Sequence, residues 1–303
     1  MRRPRLLAAL VVAALLTGAT ACTSPAHSRI VVTTNILGDV VNEIVGDEAR
    51  VSVLMKPNAD PHSFAISARE AHTMQTTDLV VYNGLGLEEN VLRHVEAAKA
   101  EGVHTVEVGT RIEAMEYQDG DAAGLPDPHF WTDPARVATA VRVLADEIVD
   151  HVDGVDARVV RERAAAYAKK LGELDADLTR RFATIPAERR VLVTNHHVFG
   201  YLADRYDFRV IGAIIPSGTT LASPSSSDLA SLVTAVRTHR VPAIFVDTSQ
   251  PARLAEVLVS EAGISVKVIA LYSESLSAAD GGAASYLGMM RANSEAIISG
   301  LSA

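Results

Sequence analysis

A long helix sits in the middle of this chain, and the sequence on either side of it follows one pattern. From about Asp156 to Ala183 the apolar residues Val160, Ala164, Tyr167, Leu171, Leu174, Leu178 and Phe182 recur at intervals of three or four, which lays one stripe along a helix. At 1.5 Å of rise per residue it is about 40 Å long, enough to run from one domain to another. Ile185-Pro186 ends it, since proline supplies no backbone N–H. Before it, short β-branched or apolar runs at 30–34, 51–55, 79–82 and 103–108 read as strands, with helical stretches at 39–45, 68–76, 88–100 and 134–152. After it the alternation restarts, with strands at 191–194, 210–214, 243–246 and 266–270 and helices at 199–206, 228–239, 254–262 and 286–301. Strands alternating with helices predict parallel sheets built from βαβ units. The expected fold class is therefore α/β, two parallel-sheet lobes joined by a long rigid helix. The expected divisions are an N-terminal lobe over 30–154, the linking helix over 155–184 and a C-terminal lobe over 185–303.

The first residues read as a targeting segment. Arg2, Arg3 and Arg5 precede the apolar run Leu6 to Leu16, which has signal-peptide length and is too short to span a bilayer. It ends in Ala19-Thr20-Ala21-Cys22, and Cys22 is the only cysteine. A lone cysteine in an exported chain makes no internal disulfide. Placed directly after small residues it is expected to carry a lipid once 1–21 are removed, with 22–29 as a polar tether. The mature protein would then lie on the extracytoplasmic face of the cell membrane, held by a lipid anchor. The formal net charge of −9 and the small aromatic share argue against nucleic acid as a partner.

Two stiff loops carry the chemistry. Asp127-Pro128-His129-Phe130-Trp131-Thr132-Asp133-Pro134 sets an imidazole between prolines and beside the only tryptophan, and Asp60-Pro61-His62 is a shorter echo of it. Proline fixes its own φ and keeps the preceding residue extended, so each histidine loses little freedom when a ligand immobilises it. In open parallel sheets ligands bind beyond the carboxyl ends of the strands. His62, His196, Asp247 and Glu274 all follow predicted strands, and His129 opens the region between the lobes. Three imidazoles and a carboxylate suit Zn²⁺, and Mn²⁺ or Fe²⁺ is also compatible with such donors. Of the ten histidines, His27 falls in the tether, and His72, His94, His104, His151 and His239 read as ordinary surface or core residues. His197 should point away from its neighbour His196.

These landmarks resemble the cluster A-I family of metal-binding lipoproteins, the solute-binding subunits of ABC importers for zinc and manganese. The likeness runs from Ile30 to Leu301 and rests on Asp60 to Phe64, Asp127 to Pro134, Thr194-Asn195-His196-His197-Val198-Phe199-Gly200-Tyr201, Ile244 to Asp247, Leu271 to Leu276 and Ser285 to Met290. The resemblance implies His62, His129 and His196 as metal ligands. The fourth is usually an aspartate between Thr and Ser; here Ser273-Glu274-Ser275 stands in its place, one methylene longer. Asp247 matches an acidic position of structural character and is the reserve ligand. Asp60 and Asp127 are expected either to hold the imidazoles by their far nitrogens or to cap the loop backbone. Histidine at the third position accompanies zinc binders. The His-rich loop of many zinc members is missing, because 117–127 is short and acidic; a metallochaperone could then load the protein.

The expected function is thus an extracytoplasmic receptor, not an enzyme, that delivers Zn²⁺ to an ABC permease, with manganese or iron as alternative cargo. It would act as a monomer, and the long helix would resist wide hinge closure. Binding should weaken as pH falls through the histidine range. A zinc-dependent hydrolase with three histidines and an open position is the rival reading, decided by whether Glu274 closes the site. A secondary adhesin role, which such lipoproteins acquire, finds no support or denial in the residues.

Overall fold

A computed structural model describes residues 29–118, 120–263 and 265–302; the expected signal segment over 1–21 and all of the expected tether except Arg29, with Cys22 and His27, lie outside them. The first half runs β1 (Arg29–Val32), α1 (Asn35–Val45), β2 (Arg50–Val53), α2 (Ala68–Met74), β3 (Leu79–Tyr82), α3 (Leu92–Ala100), β4 (His104–Glu107) and α4 (Pro134–His151). The long helix α5 (Ala157–Phe182) follows. The second half is β5 (Val191–Thr194), α6 (Gly200–Tyr206), β6 (Arg209–Ala213), α7 (Ser226–Thr238), β7 (Ala243–Asp247), α8 (Arg253–Ala262), β8 (Lys267–Leu271) and α9 (Tyr286–Leu301). Each half forms a four-stranded parallel sheet, ordered β2-β1-β3-β4 and β6-β5-β7-β8. The α/β, two-lobed architecture is as the sequence predicts.

Element edges move where side chains have other work. The first strand stops at Val32, because the Thr34 hydroxyl accepts from Leu37 N–H and caps α1, which starts before the predicted residue 39. Helix α3 starts at Leu92 and not at Glu88. The buried Glu88 carboxylate accepts from the Thr33 hydroxyl (2.7 Å), Asn83 N–H (2.7 Å) and Gly84 N–H (3.0 Å), which pins residues 83–91 as turns. Inside the motif Asp127 to Pro134 a short 3₁₀ turn, Phe130–Thr132, leads into α4, whose N-terminus Asp133 caps with Pro134 in the first turn.

Helix α5 does more than bridge. Its buried stripe, Val160 to Phe182, lies in a helix that packs against α4 and α1 of the first half and α9 of the second. One apolar cluster therefore runs from Ile30 and Val32 in β1, through α1, α4 and α5, to Leu192, Phe245 and Met289 in the second half. Two smaller clusters fill the far faces of the two sheets. Polar ties add to this continuity: the Tyr286 hydroxyl donates to Trp131 O (2.7 Å), Trp131 Nε1 to Ser273 O (2.8 Å), and Tyr286 N–H to Asp39 Oδ2 (2.8 Å). A core shared by both halves would have to break for the lobes to swing apart. Among the described residues no helix is long and apolar enough to cross a membrane.

Candidate metal centre

The carboxyl ends of the two sheets face each other, and the loops leaving them bring together His62, His129, His196 and Glu274. Donor atoms of the four lie within 4.8 Å of one another. The Nε2 atoms of His62 and His129 are 3.4 Å apart. Glu274 Oε1 lies 3.0 Å from His196 Nε2 and 3.5 Å from His129 Nε2, and Oε2 lies 3.9 Å from His62 Nε2. The three rings ring one point, with centroids 5.3 to 5.5 Å apart. None of the four residues is more than 1% exposed. Glutamate in place of the shorter aspartate thus reaches the cluster.

Each loop is set by its own polar residues. Asp127 Oδ1 accepts both from His129 N–H (2.9 Å) and from the ring Nδ1 (2.7 Å), so it caps the loop and orients the imidazole at once. Asp60 caps only: Oδ1 accepts from His62 N–H at 2.9 Å. Its Oδ2 instead accepts from Ser63 (3.0 Å) and, across the cleft, from the Thr220 hydroxyl (2.6 Å) and Gln250 Nε2 (2.9 Å). The Asn195 side-chain amide meets His196 Nδ1 at 3.1 Å. When His196 Nε2 binds a cation its Nδ1 carries the proton, and the amide must then present its oxygen. Asp247 is not among the clustered donors; it accepts from Ser249 N–H, Ser273 N–H and hydroxyl, and Glu274 N–H, which fixes the loop that carries Glu274. Asn35 ties the same loop to the first lobe, donating to Ser275 Oγ (2.8 Å) and accepting from Leu276 N–H (2.9 Å).

Burial shapes the electrostatics. It pushes the His62 and His129 imidazoles well below their usual range, helped by neighbouring histidines, and pushes His196 down to about 4. Burial, with Asp247, Asp60 and Asp127 nearby, holds the Glu274 carboxyl well above the usual glutamate range. Burial likewise pushes Asp127 up to about 7. His196 Nε2 and both Glu274 oxygens are buried without a hydrogen-bond partner, the 3.0 Å contact between them lacking the alignment of one. Unpaired buried donors and acceptors cost free energy, and a divalent cation among three imidazole nitrogens and a carboxylate satisfies them together. The residues present fit such a cation.

Several contributors escape a reading of the sequence. Tyr117 belongs to a stretch that looks like a plain surface loop, yet its buried hydroxyl lies 3.3 Å from His129 Nδ1 and donates to Gly218 O at 3.1 Å. Thr220 and Gln250 sit in loops with no local signal. Asn35, directly past the end of β1, could have been suspected from its place at a strand's carboxyl end. His197 stays out of the cluster; its N–H donates to Ser217 O and its ring approaches Tyr117. His104 and His151 come together with Glu147, away from this centre.

Known proteins share the plan. Over 274 residues the chain is 29% identical to the manganese-binding lipoprotein MntA of Halalkalibacterium halodurans, covering 90% of this chain and 88% of that one. It is 28% identical to the iron-binding protein YfeA of Yersinia pestis, covering 90% and 86%. It is 29% identical to the zinc-binding protein TroA of Treponema pallidum, covering 99% of both chains. The solved structure of TroA superposes with a TM-score of 0.84 at 28% identity, over 91% of this chain and 99% of that chain. The family profile described as "Zinc-uptake complex component A periplasmic" matches residues 30–300. This chain therefore belongs to that family, the cluster A-I substrate-binding receptors of metal ABC importers.

Proposed function

We propose that the protein captures Zn²⁺ outside the cytoplasm and presents it to the permease of an ABC importer, with His62, His129, His196 and Glu274 as the ligands. The observation that carries this reading is the convergence of three imidazole Nε2 atoms and an otherwise unpartnered carboxylate in a water-excluded site. Three nitrogens and one carboxylate make a four-donor set of the kind zinc takes, whereas manganese favours more oxygen donors. Asp247 is a loop anchor in this reading and not a ligand. Glu274 fills the position that a zinc hydrolase leaves for water, which favours a receptor. Manganese or iron is the second reading, favoured by relatives named for those metals at nearly the same identity as the zinc-binding one.

In the same reading residues 1–21 are removed, Cys22 carries the lipid, and 22–29 tether lobes spanning 30–154 and 185–303 about the helix 155–184. The receptor is a monomer on the extracytoplasmic face of the membrane, and a metallochaperone is a further partner. The test is a competitive titration of the metal-free protein with zinc and manganese, beside Glu274→Ala. One tightly held zinc, preferred over manganese and weakened in the variant, supports the reading. Manganese preference would overturn the choice of metal and leave the importer role standing. No metal bound would overturn both.

A further inference from the structure

A second set of donors gathers at the opposite end of the first sheet. His104 opens β4, the sheet's edge strand, whereas the buried cluster lies on loops that leave the strands' other ends. Glu147 and His151 are four apart near the end of α4, so they share one face of the helix. His104 Nε2 lies 2.8 Å from Glu147 Oε2, and His151 Nε2 lies 3.6 Å from the same oxygen. One donor atom from each of the three lies within 4.8 Å of the others. The two imidazoles stack, with centroids 3.4 Å apart and planes 15° apart.

A single carboxylate oxygen accepts well from one ring N–H at this geometry and poorly from a second. A divalent cation satisfies both Nε2 lone pairs and Oε2 together. Arg111 Nη2 holds the other carboxylate oxygen, Oε1, at 2.9 Å, which keeps Oε2 turned toward the rings. Two imidazole nitrogens and one carboxylate oxygen are a zinc-type donor set. Parallel rings send their lone pairs side by side, so binding must tilt them apart. The side chains of His104 and His151 are 37% and 40% exposed, which leaves room to turn and admits a water as fourth ligand.

We propose that His104, Glu147 and His151 form a second, surface zinc site, separate from the buried centre. It binds more weakly than the buried one, because it offers three protein ligands to four and the Arg111 guanidinium lies beside it.

The test is zinc binding to the full-length, metal-free protein by equilibrium dialysis. Saturation at about two zinc ions per chain, one held more weakly, is the expected result. The double variant His104→Ala, His151→Ala should lose the weaker ion and keep the tighter one, and Glu274→Ala should weaken the tighter one alone. Glu147→Gln, which keeps the side chain's size, should also lose the weaker ion, with circular dichroism showing that each variant is folded. Saturation at one ion in the unmodified protein, or a second ion that survives in the folded double variant, would overturn the site.

Discussion

Asp247 holds Glu274 by its backbone: Oδ2 accepts from the Glu274 N–H at 3.0 Å and from the N–H (2.9 Å) and hydroxyl (2.6 Å) of Ser273. The hydrogen bonds of this acidic residue, beside the candidate metal centre, go to shaping a loop. Asp247→Ala strands buried donors, so the metal-free protein should lose about 2–4 kcal/mol of stability and bind metal more weakly. Glu274→Ala removes a buried, unpartnered carboxyl, so metal binding should fall while metal-free stability holds or rises. Denaturant unfolding of both variants without metal separates the roles. Equal losses of stability would mean that Glu274 is also structural.

The two Asp-Pro-His loops differ in what their aspartates touch. Asp127 contacts the His129 ring at 2.7 Å, while Asp60 reaches the His62 backbone, the Ser63 hydroxyl and residues across the cleft but not the His62 ring. Asp127→Asn should therefore weaken metal binding about 10–100-fold through the misoriented imidazole. Asp60→Asn should weaken it less. Competitive titration of the two variants decides, and a larger effect at Asp60 would show that the ties across the cleft matter more than the ring contact.

Burial sets the direction of the pH response. The imidazoles are pushed below the usual histidine range, His196 to about 4, so in the metal-free site they are neutral at neutral pH. Glu274 is raised, so it keeps its proton where an ordinary glutamate has lost it. Metal must displace that proton, and affinity should rise with pH, up to about tenfold per pH unit while Glu274 remains protonated in the free site. Weaker binding in acid remains the expected direction, and the carboxyl is the group expected to carry it, because burial already keeps the imidazoles neutral. Calorimetric titration in two buffers of different ionisation enthalpy should show proton release on metal binding, and less of it in Glu274→Gln. Asp127, raised to about 7, accounts for a remaining fraction. Release unchanged in the variant would refute the assignment.

A core continuous through both halves predicts a local response to metal. Small-angle scattering should give the same radius of gyration with and without zinc. Trp131, whose ring centroid lies 5.2 Å from that of His129 and whose Nε1 donates to Ser273 O, should report loading through its fluorescence. A clear contraction on loading would mean that the shared core yields to a hinge after all.

Much of this protein is legible in one dimension because its signals are local. The stripe from Val160 to Phe182 has only one regular conformation that buries it on a single face, and β-branched runs between helical stretches imply parallel strands. His62, His129 and His196 could be marked out because proline stiffening and a place beyond a strand's carboxyl end are properties of neighbouring residues. Tertiary structure alone decided that Glu274 and not Asp247 turns inward, since both follow strands and only the hydrogen bonds of the Ser273 loop distinguish them. It also decided that Tyr117 backs His129, that Asp60 reaches Thr220 and Gln250, and that His104 stacks on His151. These pairs lie 12 to 190 residues apart in the chain, and their meeting depends on how loops, sheets and helices pack, which no local preference encodes.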